Sequence, residues 1–256
     1  MTLTPTFHSA ALDREMPYGI YLPQDYASST RRYPVLYLLH GLFGSYENWF
    51  TLMNLASHVA ALDCIIVTPD ADDSWYTNSA TVPENKFEDY ITKNIVTEID
   101  ALYRTIPERQ ARAIAGLSMG GYAALKFVLR NPQSFAFAGC LSGAMSAARD
   151  LDRLTPDFAP KLLEVFGPVG NPVRAYNDIF QLIKNARPAG LPYLYLACGV
   201  EDGFLPVNRE FVDELSQRLI SYEYHETPGQ HDWTYWDQAI RPMLAAMEKR
   251  LSTDAR

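Results

Sequence analysis

Short apolar runs bounded by turn residues alternate along this chain with longer amphipathic stretches, and few architectures accept that pattern. It is the signature of a mostly parallel sheet with helices on both faces. The clearest strand is Val35 to Leu39, a continuous apolar run closed by His40-Gly41. Cys64 to Thr68, Arg112 to Leu117, Phe137 to Leu141, Tyr193 to Cys198 and Ser221 to Thr227 read as further strands, and Thr6 to Leu12 and Met16 to Leu22 as two that pair antiparallel. Helices are predicted over Asn54 to Leu62, Asp89 to Tyr103, Gly121 to Arg130, Asn208 to Leu219 and Trp236 to Leu251. In the second of these Ile91, Ile95, Ile99 and Leu102 recur at helical intervals, and Asn131-Pro132 ends the third.

The alternation breaks between Ser142 and Pro192. Residues 143–192 are read as a short cap-like insertion over an active site, with helical padding at the sheet edge as the other reading. No repeat, low-complexity tract or linker divides the chain, so residues 1–256 are expected to form a single domain.

Composition excludes several classes. With 22 basic against 30 acidic residues, a net charge of −8 and no run of Lys or Arg, nucleic acid is not an expected partner. No stretch approaches the ~18 consecutive apolar residues of a membrane-spanning helix, so no membrane partner is expected and the cytoplasm is the default location. Cys64, Cys140 and Cys198 each fall inside an apolar strand, with spacings that fit neither a disulfide framework nor a zinc site, so they read as buried free thiols. A homo-oligomer is neither required nor excluded.

Gly116-Leu117-Ser118-Met119-Gly120 has the form G-x-S-x-G and falls between a predicted strand and a predicted helix. A serine on so sharp a turn is held in a strained backbone conformation, and the small residues two before and two after it let strand and helix approach without collision. Its hydroxyl then projects near the positive end of the helix, where a nucleophile and a developing oxyanion are both stabilised. His40-Gly41-Leu42-Phe43-Gly44 has the layout of a second oxyanion element; the Leu42 and Met119 N–H groups are the candidate donors, and His40 is read as shaping its loop.

A serine hydroxyl needs a base at neutral pH, and in this type of site acid and histidine follow the serine in the chain. Of the five histidines only His225 and His231 do so. His225 lies within an alternating strand, whereas His231 lies in the loop after it, at the carboxyl end of the sheet, and is preferred. Either Glu201 or Asp202 could hold the imidazole; Asp202 is the better choice because the following Gly203 lets the chain turn its carboxylate toward His231. Asp232 is poorly placed to bond its neighbour's ring and reads as the cap of the last helix. Aromatic residues gather in the same loops, and Phe43, Trp75, Tyr76 and Trp233 are the candidate substrate-binding walls, with Trp49 and Tyr235 nearby in the sequence.

The segments Leu38 to Gly44, Ser74-Trp75-Tyr76-Thr77-Asn78, Ala113 to Tyr122 and Gly229-Gln230-His231-Asp232-Trp233 resemble the esterase D-like group of α/β-hydrolases, and the similarity runs from about Tyr18 to Leu244. That group includes tributyrin-type, feruloyl and acetyl esterases, S-formylglutathione hydrolases and mycobacterial mycolyltransferases. The resemblance implies an α/β-hydrolase fold, a triad of Ser118, Asp202 and His231, and an oxyanion hole at Leu42 and Met119. S-formylglutathione hydrolases usually carry Thr-Cys after His-Gly-Leu and a Gly-His-Ser-Met-Gly elbow; Phe43-Gly44 and Leu117 stand here instead, which favours the tributyrin and feruloyl type. A serine carboxylesterase acting on a small-molecule, short-chain acyl or aryl ester is therefore expected, with the glutathione thioesterase and the carbohydrate esterase as alternatives and a catalytically silent binding protein as the alternative of another class. Such chemistry calls for no metal and no organic cofactor.

Overall fold

A computed structural model describes residues 2–150 and 156–253. These residues form a nine-stranded sheet of β1 Thr2–Leu3, β2 Thr6–Ser9, β3 Arg14–Tyr21, β4 Val35–Leu39, β5 Ile65–Pro69, β6 Arg112–Leu117, β7 Phe137–Leu141, β8 Tyr193–Gly199 and β9 Tyr222–Thr227. The order is β1-β3-β5-β4-β6-β7-β8-β9, with β2 also paired to β3. From β5 to β9 every pairing is parallel, while β3 runs antiparallel to β1, β2 and β5.

The continuous apolar strands are apolar because both faces are covered. Val35, Tyr37 and Leu39 of β4 enter one hydrophobic cluster, and Leu36 and Leu38 enter the other. Successive side chains of a strand point to opposite faces, so a strand buried on both sides cannot carry a polar period. The helix Met119–Arg130 packs Tyr122, Ala123 and Phe127 into the first cluster, and Trp233–Glu248 packs Trp236, Ile240, Met243 and Met247 into the second.

Three helices depart from the expected limits for visible reasons. The last begins at Trp233 because the Asp232 carboxylate accepts the Tyr235 N–H at 2.9 Å, capping the first turn. The one expected over residues 89–103 starts at Phe87 and passes through a π-helical stretch, Tyr90–Ile95, before Val96–Leu102; the wider turn lets residues five apart, Tyr90 and Ile95, bury on one face. Met119–Arg130 starts two residues early, directly after the serine. In the 143–192 segment the described residues form a 3₁₀ turn, Pro156–Phe158, and helices Ala159–Phe166, Pro172–Asn177 and Ile179–Asn185. They pack beside Met119–Arg130, where the Tyr122 hydroxyl donates to the Asn177 carbonyl at 2.6 Å. The three cysteines are buried and unbridged. Among the described residues no helix is long and apolar enough to cross a membrane.

The sheet order places the site. β5 lies on one side of β4 and β6 on the other, so the chain reverses direction across the sheet between β4 and β6, and a crevice opens at their carboxyl ends. Leu39 pairs with Gly116, which sets the loop after β4 beside the turn after β6. Two glycines permit that contact: a Cβ on Gly120 would lie 2.3 Å from the Leu39 carbonyl oxygen, and one on Gly116 would lie 2.5 Å from the Gly120 carbonyl carbon. Gly120→Ala should therefore lower the melting temperature by several degrees, since overpacking costs about 1–3 kcal/mol, or roughly 2–4 °C per kcal/mol at this size. Gly203→Ala, where an added Cβ meets nothing within 4 Å, is the control and should melt within about a degree of the parent by calorimetry. Equal melting temperatures for both variants would show that the β4–helix contact is not rigid.

Candidate active site

Ser118 adopts φ +52° and ψ −115°, a conformation that an L-residue holds only under strain. Hydrogen bonds fix it: its N–H donates to the Leu141 carbonyl at 2.9 Å, and its carbonyl accepts from Tyr122 N–H at 3.0 Å and Ala144 N–H at 3.1 Å. The hydroxyl oxygen lies 3.0 Å from His231 Nε2, and His231 Nδ1 lies 2.8 Å from Asp202 Oδ2. A carboxylate only accepts, so Nδ1 carries the proton and Nε2 presents its lone pair to the serine. The imidazole is held edge-on between Phe204 and Trp236, with ring centroids 5.0 and 4.9 Å away.

Asp202 is nearly fully buried. Burial alone would raise its pKa, but the His231 hydrogen bond and charge, the Phe204 N–H at 2.8 Å and the Ser142 hydroxyl outweigh it and hold the carboxyl below its ordinary value. Ser142, itself in the left-handed region at φ +50°, accepts the Trp236 indole N–H at 3.1 Å. Glu201 does other work: its Oε2 accepts the Gly229 N–H at 2.6 Å while its own N–H donates to the Gly229 carbonyl at 3.1 Å, so it clasps the backbone of the histidine loop. His225 sits on β9, half exposed, 2.7 Å from Glu223 Oε1.

The loop after β4 is a tight turn closed by Gly44 N–H to the Gly41 carbonyl at 3.1 Å, with Phe43 at φ +59°. Carboxylates from the loop after β5 hold it: Asp73 Oδ1 accepts the Phe43 N–H at 2.7 Å, and Asp70 Oδ2 accepts the Tyr46 N–H at 3.2 Å. His40 is fully buried, its Nδ1 2.8 Å from the Gly41 carbonyl and its Nε2 accepting the Ala71 N–H at 3.0 Å. Burial pushes its pKa down, and one nitrogen donating while the other accepts fits a neutral ring. Among the described residues the Leu42 and Met119 N–H groups have no acceptor within the protein. Leu42 borders the cavity described next, whereas the Met119 side chain is buried in the core and only its backbone faces the turn at Ser118.

A cavity of about 460 Å³ opens above Ser118, a size typical of small-molecule sites. Leu42, Phe43, Leu52, Trp75, Leu117, Phe158, Phe204, Trp233 and Trp236 give it apolar walls, and Asn48, Ser118, His231 and Asp232 are its polar side chains. Of the aromatic residues expected there, Phe43, Trp75 and Trp233 line it; Phe43 is a rim residue, 73% exposed with its ring 5.5 Å from Phe158. Tyr76 does not line it. Its ring is fully buried and its hydroxyl donates to the His40 carbonyl at 3.0 Å, because left-handed φ values at both Trp75 and Tyr76 turn the second ring into the core. Trp49 and Tyr235 are likewise buried, Trp49 standing edge-on behind Trp233 at 5.5 Å. Sequence reasoning missed Phe204, Trp236 and Phe158. Trp236 lies three residues after Trp233 on one helix, a spacing that puts both on neighbouring positions of a face, whereas Phe158 lies in a segment with no readable period.

The Trp75 wall rests on a buried lysine. Lys126 Nζ donates to the Tyr76 carbonyl and Thr77 Oγ1 at 2.8 Å each and to Asn177 Oδ1 at 3.2 Å, with Glu88 Oε2 at 3.5 Å. Burial pulls its pKa down to about 7, against the pull of Glu88, itself paired with Arg130.

Fold and site together define an α/β-hydrolase-fold protein with a Ser–His–Asp constellation at the carboxyl end of its sheet. The chain belongs to the Esterase family, whose model matches residues 9–247. It is 31% identical over 254 residues to an esterase of Mycobacterium tuberculosis, an alignment covering 88% of this chain and 54% of that protein, so the chain spans about half the length of that curated relative. Among solved structures it resembles the fluorophosphonate-binding serine hydrolase F of Staphylococcus aureus, at 26% identity and TM-score 0.88 with 97% and 98% of the two chains covered. A ferulic acid esterase matches at 27% identity and TM-score 0.84 with 98% of each chain covered.

A depressed lysine has a signed consequence. Between about pH 7 and the ordinary lysine value of ~10.4 the folded chain holds a neutral amine where the unfolded chain holds an ammonium. Unfolding then takes up a proton, so the stability contributed by this group rises with pH across that window. Urea unfolding of the parent and Lys126→Met at pH 7 and pH 9 checks this: the parent should gain on the variant by up to about 1.4 kcal/mol per pH unit. A constant difference would mean that the ammonium stays charged.

Proposed function

We propose that this chain is a serine carboxylesterase acting on small, uncharged, short-chain acyl or aryl esters by two-step acyl transfer. One observation carries the reading: the hydrogen-bonded line from Asp202 Oδ2 through His231 to Ser118 Oγ, at 2.8 and 3.0 Å, under an apolar cavity. Ser118 attacks the ester carbonyl as His231 Nε2 takes its proton, and Asp202 keeps the ring in the tautomer that can do so and steadies the imidazolium. The oxyanion develops against the Leu42 and Met119 N–H groups, which have no competing acceptor among the described residues. His231 returns the proton to the leaving alcohol, and water hydrolyses the acyl-enzyme by the same route in reverse.

The cavity's charges favour a neutral substrate. Among the described residues no Lys or Arg lines it, and Asp232 does. A glutathione thioester, which carries carboxylates, would find no cation among the described lining residues, which supports the carboxylesterase as the leading reading. Walls of Trp75, Phe158, Trp233 and Trp236 suit a flat aryl group or an acyl chain of four carbons or fewer, since each fitting methylene adds up to about 0.8 kcal/mol and a clash costs about 1–3 kcal/mol. The likeness to a ferulic acid esterase makes an aryl acyl group the second reading.

In a p-nitrophenyl ester series kcat/KM should peak at four carbons or fewer and fall at least tenfold by eight. Ser118→Ala should lose on the order of 10⁴-fold in kcat and all labelling by a fluorophosphonate probe while keeping its melting temperature. Activity within tenfold of the parent would remove Ser118 from the mechanism, and a parent that hydrolyses no ester would return the chain to the class of silent binding proteins.

The two neighbouring carboxylates separate cleanly. Asp202→Asn presents its imidazole partner with an amide and should cost roughly 10³–10⁴-fold in kcat/KM. Glu201→Gln keeps an oxygen for the Gly229 N–H and should cost less than about tenfold. The reverse ranking would assign the acid to Glu201.

A further inference from the structure

We infer that Asn48 is a specificity-determining donor, whose Nδ2 group binds an uncharged oxygen acceptor carried by the substrate beyond its ester group; this deepens the esterase reading and rests on it. Asn48 opens the short helix Asn48–Thr51 immediately after the loop that holds the Leu42 N–H. Its Oδ1 accepts the Ser45 N–H at 2.7 Å. A backbone N–H can only donate, so the oxygen and not the nitrogen of the carboxamide faces it, and the orientation of the amide is fixed by chemistry. The same oxygen lies against Gly44, where a Cβ would come within 2.7 Å of it, so the group has little freedom to turn.

With Oδ1 so committed, Nδ2 carries two N–H donors and has no acceptor among the described residues. Asn48 nevertheless lines the cavity above Ser118, and it is the one carboxamide among the lining side chains. Two of the neighbouring polar groups are engaged within the protein. The Trp236 indole N–H is bound to Ser142, and the imidazole is bound to Asp202 and Ser118 at its two nitrogens.

A donor on the wall of a mostly apolar cavity has two states, hydrated or bound to ligand. A purely hydrocarbon ester that displaces the water leaves the amide unpaired, whereas an ester with an ether, ketone or hydroxyl oxygen at that position replaces the lost bond. A site with an obligate polar partner discriminates far more strongly than one that measures only methylenes. The ligand class is therefore a neutral oxygenated ester, in preference to the hydrocarbon ester of equal length.

Two isosteric pairs test this: p-nitrophenyl butanoate against p-nitrophenyl methoxyacetate for an acceptor on the acyl side, and butyl acetate against 2-methoxyethyl acetate for one on the alcohol side. The readout is the ratio of kcat/KM within a pair, oxygenated over hydrocarbon, compared between the parent, Asn48→Ala and Asn48→Asp. The comparison cancels intrinsic reactivity and any general damage to the oxyanion loop. Asn48→Asp keeps an acceptor for Ser45 N–H and loses the donors while adding a charge, whereas Asn48→Ala removes the donors without one, so a fall shared by both variants follows the donors. In at least one pair both variants should lower the ratio about tenfold. Should a variant be too slow to assay, the same ratio is read as Kd on Ser118→Ala with and without Asn48→Asp, where no turnover is needed. Ratios unchanged within twofold in both pairs would overturn the inference and leave Asn48 as a brace for the loop. A parent inactive on all four esters would overturn the esterase reading itself, and this inference with it.

Discussion

The left-handed backbone at Ser118 survives because the strand before it and the helix after it close on each other through glycine. Gly116 and Gly120 meet at a separation that no Cβ could share, and Gly120 lies against the carbonyl of Leu39 on the neighbouring strand. Strain of this kind costs on the order of 1–3 kcal/mol and persists only where surrounding structure over-determines it. Here Leu141 at the end of β7 accepts the serine N–H, while Tyr122 and Ala144 N–H groups take its carbonyl. Once the serine is pinned between β4 and β7, the other two members of the constellation have little choice. They arrive from the loops after β8 and β9, on the same edge of the sheet, and Glu201 ties those two loops together through Gly229.

The second half of the site is held by groups that look misplaced. Asp70 and Asp73 put two carboxylates behind the loop in which the oxyanion would form, and negative charge there opposes it. Their oxygens, however, are bonded to Tyr46 and Phe43 N–H groups, so much of their field is spent on the backbone they hold. The Leu42 N–H, one residue before those contacts, has no acceptor among the described residues. His40, buried and bonded on both nitrogens, does the same work from beneath. The arrangement trades some electrostatic repulsion for a donor that does not move.

Much of this was legible in the sequence, and the reason differs by residue. The strands were readable because burial on both faces removes polar residues from them, as in Val35–Leu39. Ser118, Asp202 and His231 were readable because chain order and sheet position leave few candidates, and the structure brings the three within hydrogen-bond reach. The gathering of aromatic residues in the loops points to Tyr76 as a pocket wall; two successive left-handed residues send the Trp75 and Tyr76 rings different ways, and no local pattern announces them. Phe158 and Phe204 reach the cavity by tertiary packing alone. The same holds for Asp73, whose partner lies thirty residues back along the chain.

Lys126 has a consequence for how such a pocket could diversify. One lysine on the helix after Ser118 is bonded at once to the loop that carries Trp75 and Tyr76 and to Asn177 of the helix Pro172–Asn177. That loop, the helix Pro172–Asn177 and the helix Met119–Arg130 are therefore tied together at one side chain. A change that moved Asn177 would take from this buried amine one of its three hydrogen-bond partners and leave Tyr76 and Thr77 to hold it. Phe43 and Leu52, exposed at the edge of the cavity, stand outside that tie, so a substitution there can reshape the cavity mouth without touching the buried amine.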